Sequence, residues 1–116
     1  MGLAMLVLLP APTVEGAGPD DGIYSFVASY HPGVPTVSAH ISVHQNGSTV
    51  VFLVLNPNSV WDFGVGTRSG NVVSGTLYLF TGEAYGTFNI TLAGSAVSGQ
   101  AIIGGYPYSV LGARLF

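Results

Sequence analysis

At 116 residues with no cysteine, the chain has room for one domain and one hydrophobic core, and no disulfide framework can hold it together. Only 6% of its residues are Asp, Glu, Lys or Arg, against roughly 25% in an ordinary soluble domain, so Ser, Thr, Asn and Gly must keep the surface wet. Two basic residues give no electrostatic footprint for nucleic acid and no polybasic patch for anionic lipid.

Leu3 to Leu9 form a short apolar run ending at Pro10, followed by Gly16, Ala17 and Gly18. The run has the length of a signal-peptide core and is too short to span a bilayer. Residues 1–18 are therefore read as an export signal, either truncated at its start or atypical in lacking basic residues, and 19–116 as the folded domain. The expected compartment is periplasmic or extracellular, with the outer membrane as the alternative.

After Asp20-Asp21-Gly22 the chain adopts a period of two, broken by turn residues every 8 to 12 positions or so, which is the pattern of an all-β sandwich or barrel. Strands are predicted over 23–30, 36–44, 48–55, 60–67, 71–80, 84–92, 97–103 and 106–115. The second alternates most cleanly: Val37, Ala39, Ile41 and Val43 face one way, Ser38, His40, Ser42 and His44 the other. Gln45-Asn46-Gly47, Ser69-Gly70-Asn71 and Thr81-Gly82-Glu83 carry hairpin chemistry, so neighbouring strands are antiparallel. The segment His31-Pro32-Gly33-Val34-Pro35 is a freer connection, because its prolines interrupt a ladder.

Residues 70–77 recur in altered form at 94–101, an offset of 94 − 70 = 24 that makes a hairpin the repeating unit. Gly75 and Gly99 occupy matched points inside strands, where a sheet coiling toward closure needs glycine. An open meander would leave two apolar edges that this chain has almost no charge to protect. The expected fold is an all-β antiparallel meander of about eight short strands, forming a closed or nearly closed up-and-down barrel.

The sequence carries no Gly-x-Ser-x-Gly elbow, no cysteine nucleophile and no phosphate-cradling loop with lysine. His40 and His44 share a strand face but stand about 13 Å apart along it, too far for one ion, so no metal site is expected. Of the carboxylates, Glu15, Asp20 and Asp21 precede the sheet and Glu83 is in a turn. Asp62, in a strand between Trp61 and Phe63, is either a polar anchor in a pocket or a simple outward-facing residue, and the second reading is preferred. The chain is therefore expected to be non-enzymatic and without a cofactor. Aromatic residues pair by parity as Tyr24, Phe26 and Tyr30, Trp61 and Phe63, and Tyr78 and Phe80. Most should fill the core. Trp61, Tyr30 and Tyr106 are the candidates to line an open rim and touch a ligand.

Gly22-Ile23-Tyr24, with Arg114 near the other end of the chain, resembles the arrangement in lipocalin- and avidin-type barrels, the calycins, so the chain is read as a small exported bacterial barrel similar to them. There an aromatic residue two places after a glycine packs against a late arginine at the closed end. Tyr24 stands where that family usually has tryptophan, and the resemblance covers two points of the chain. It implies a structural plug, with Arg114 over the Tyr24 ring, and a barrel that binds a small apolar or amphipathic molecule. The last strand is also similar to those of bacterial outer-membrane barrels: Tyr106, Tyr108, Val110, Gly112, Arg114 and the terminal Phe116 fall on one face. A structural or surface interaction protein is the second expectation, and a small outer-membrane barrel the third.

Overall fold

The computed structural model describes residues 18–30, 37–56 and 60–116. The segment read as an export signal, apart from Gly18, and the His31 to Pro35 connection lie outside the described residues. Eight strands follow one another: β1 (Gly22–Ser29), β2 (Val37–Asn46), β3 (Thr49–Val54), β4 (Phe63–Ser69), β5 (Val72–Tyr78), β6 (Ala84–Ala93), β7 (Ala96–Ile103) and β8 (Tyr106–Arg114). Each pairs antiparallel with the next, and β1 pairs with β8 from Tyr24↔Arg114 to Ser29↔Ser109, closing the barrel. Closure leaves no strand edge to protect, which a chain with this little charge requires.

The loops sort by end. At one end β2–β3, β4–β5 and β6–β7 are joined by two residues each, opened by Gly47, Gly70 and Gly94 at φ of 62°, 61° and 64°. A glycine with positive φ followed by a residue with negative φ is the sign pattern of a II′ hairpin, whose twist matches that of its strands. At the opposite end, called the rim below, the β1–β2, β3–β4 and β5–β6 connections are longer, and only Gly104-Gly105 is tight.

The pleat turns the apolar set inward. Tyr24, Ile41, Val43, Val50, Val73, Leu92 and Val97 fill the tight-loop half, with Ile41, Val50 and Val73 fully excluded from solvent. Phe26, Phe52 and Phe88 form the middle layer. The Phe26 and Phe52 centroids lie 6.4 Å apart, and those of Phe52 and Phe88 5.0 Å apart. β4 makes room for these rings with inward glycines: a Cβ on Gly66 would sit 2.8 Å from Phe88 Cζ and 2.7 Å from the Ser74 carbonyl oxygen. Gly75 and Gly99 meet the expectation of close approach, since a Cβ on either would collide with the backbone of the neighbouring strand.

Three details correct the sequence reading. The fourth strand starts at Phe63 rather than Val60, so the parity of Trp61 and Phe63 does not hold: Trp61 is buried, while Phe63 stacks on Tyr78 outside the barrel at 5.1 Å. Asp62 precedes β4 and does not simply face solvent. Its carboxylate accepts the Phe80 N–H at 2.7 Å and clips the β5–β6 loop to the β3–β4 connection. In β8, Val110 is buried and Tyr108 packs against the core, so this face points into the barrel rather than toward surrounding lipid.

Candidate functional site

The ends of the barrel differ in what closes them. At the tight-loop end, residues 18–21 cross the barrel as a short strap turned by an Asp21 N–H to Gly18 carbonyl bond of 3.0 Å. Buried Asp20 pairs with Arg68, its N–H donates to Gln45 Oε1 at 3.1 Å, and its carbonyl accepts the Tyr24 hydroxyl at 3.0 Å. Asp21 Oδ1 accepts the Gln45 N–H at 2.6 Å. Arg114 donates to the carbonyls of Pro19, Asp21 and Phe116, and its Cζ lies 5.9 Å from the centre of the Tyr24 ring. Both arginines of the chain are thus used here. Burial pushes the Tyr24 phenol above its ordinary range; the Arg114 charge opposes that shift and Asp21 adds to it.

Beside the phenylalanine layer three inward positions are small: Ala28, Ala39 and Ala101. With Phe26, Trp61, Ile103 and their neighbours they line a partly open apolar cavity of about 40 Å³ toward the rim. The void follows from sequence, because Ala39 and Ala101 put single methyl groups directly across from Phe26 and Phe88, and Ala28 lies two residues rimward of Phe26. Its size exceeds the ~10–15 Å³ needed for one water and is far below the ~300 Å³ of ordinary ligand pockets.

Of the residues expected at a ligand, Trp61 lines this cavity. Tyr30 and Tyr106 meet each other at the rim, with ring centroids 5.5 Å apart, and Tyr30 also meets Tyr108 at 5.7 Å. The alanines were missed in sequence reading, and their signal was inward parity at the rim end of three strands. His40 and His44 are exposed on the outer wall, where His44 Nε2 lies 3.0 Å from Ser42 Oγ. Among the described residues no group of three His, Asp or Glu side chains is placed to hold a metal ion.

No protein-family model, curated protein or solved structure matches the chain, which stands here as an eight-stranded antiparallel meander closed into a barrel.

Proposed function

We propose that this is an exported, non-enzymatic barrel that receives a slender apolar group, the end of an alkyl chain or a molecule of similar width, through its rim. The observation that carries the reading is the alanine-lined void beneath the rim, set above a filled core and a strapped opposite end. Its walls give a water molecule too few hydrogen-bond partners, so apolar atoms are the better occupant. Polar chemistry lies elsewhere: the Ser42 and His44 pair is on the outer wall, and Asp62 holds a loop. The contact between Arg114 and Tyr24 at the strapped end supports likeness to the calycins.

Trp61 is the only tryptophan and lines the void, so its emission reports occupancy. Titration with a homologous series of n-alkyl alcohols and fatty acids should give a saturable emission change that strengthens with chain length until the void is full. Absence of a saturable change across the series, in protein shown to be folded, would reject the reading.

A second reading, a surface interaction protein, is favoured by outward Leu53, Phe63, Val65 and Tyr78, adjacent across β3, β4 and β5. Serine substitution at Leu53 and Val65 should then dissolve self-association or partner capture and leave the tryptophan response alone. The outer-membrane alternative needs a continuous apolar exterior, and support for it is weak because Ser38, His40, His44 and Ser109 interrupt the outer wall of β2 and β8, although Val27 and Leu111 are exposed there.

A further inference from the structure

We infer that the rim is a membrane-docking surface for electrically neutral, zwitterionic lipid bilayers, from which the apolar occupant enters the barrel. This rests on the binding reading above for the occupant, but the docking surface has evidence of its own. Leu55 and Val60 from the β3–β4 connection, Phe80 from the β5–β6 loop, and Ile102 and Tyr106 beside the β7–β8 turn are 49%, 46%, 77%, 49% and 58% exposed. They belong to three separate connections that meet around one opening. Apolar side chains scattered singly need no explanation, but a set ringing the mouth of an apolar void does. Tyr30 and Tyr106 add rings with an apolar body and a polar tip, the type enriched where protein meets the bilayer interface.

Charge selects the occupant. Arg68 and Arg114 are engaged at the strapped end, and the charged residues described at the rim are Asp62 and Glu83, both carboxylates. A surface of this kind enters a neutral interface by burying apolar area, and an anionic leaflet repels it. That combination fits zwitterionic lipid better than an anionic membrane. A route from bilayer to void lined by apolar side chains also spares an alkyl tail passage through water.

The test is flotation with vesicles of phosphatidylcholine alone and of phosphatidylcholine mixed with phosphatidylglycerol. The intact protein should float with the neutral vesicles, and less with the anionic ones. Replacing Phe80→Ser together with Val60→Ser should lower the partition by about tenfold or more. Val27→Ser with Leu111→Ser, a directly paired and exposed set on the barrel wall, should leave flotation unchanged. Failure of the intact protein to float overturns the inference. So does equal loss in both double variants, or a rim-dependent dimer without flotation. The emission response of Trp61 to soluble alkyl alcohols is measured on the same rim variant. Its persistence after flotation is lost separates docking from occupancy, and flotation without any alkyl response leaves docking standing while rejecting occupancy.

Discussion

The two ends of this barrel are closed in different ways. The strapped end gathers Asp20, Asp21, Arg68, Arg114, Gln45 and the Tyr24 hydroxyl around one short segment. The rim offers alanines, aromatic rings and exposed aliphatic side chains. Polar contacts of fixed geometry can lock an end, because each partner left without its mate bears a desolvation penalty. Apolar contacts are not directional, so an end made from them can accept a different occupant. The contrast assigns stability to one end and recognition to the other, and it can be broken by substitutions at each.

Arg114→Ala should have the largest effect. It removes three donations to main-chain carbonyls and the contact with the Tyr24 ring. The expected loss is about 2–4 kcal/mol of unfolding free energy, measured by urea denaturation. A loss below about 1 kcal/mol would mean that the strap is decoration rather than a lock. Arg68→Ala comes next, at about 1–3 kcal/mol, because it strands the Asp20 carboxylate in a site where that side chain is only 10% exposed. A double-mutant cycle with Asp20→Ala isolates the pair, and a coupling near zero would assign the loss to the stem of Arg68 instead.

The alkaline limb of stability should also belong to the strapped end. The Tyr24 phenol is raised in the folded state from the ordinary value of 10.0, first by burial. The unfolded chain therefore gives up this proton at lower pH than the folded one, and stability present below about pH 10 falls as pH rises toward the folded value. Tyr24→Phe should flatten that decline in a series of urea midpoints up to about pH 11. It should also lower stability at neutral pH modestly, by losing the bond to the Asp20 carbonyl. An unchanged alkaline slope would place the titrating group elsewhere.

Much of this was legible from local pattern. Alternation in β2 and the glycine turns gave the meander, and the in-strand glycines gave its coiling, because each of these is a property of neighbouring residues. The pairing of Tyr24 with Arg114 was legible only through resemblance. What pattern could not supply were contacts made through closure. Asp20 meets Arg68 across 48 positions of chain, and neither residue signals the other. Asp62 was misread because the strand was extended to Val60, three residues before β4 begins, into chain where its carboxylate accepts the Phe80 N–H. The void was missed for a related reason: an inward alanine is unremarkable until alanines of distant strands prove to line the same space.

The smallest stability effect should come from filling that void. Ala101→Val adds two carbons at a position that lines the void together with Ala28 and Ala39, between its strand partners Phe88 and Tyr108. The strand also favours a β-branched residue. Unfolding free energy should stay within about 1 kcal/mol of the parent, because the added contacts offset any local crowding. The alkyl-alcohol response of Trp61 should nevertheless weaken or disappear, since the space it reports is occupied by the protein itself. A variant that loses several kcal/mol would show that the rim half is as rigidly packed as the strapped half. A variant that keeps both its stability and its full response would place the alkyl site outside the barrel, and the division of labour between the two ends would go with it.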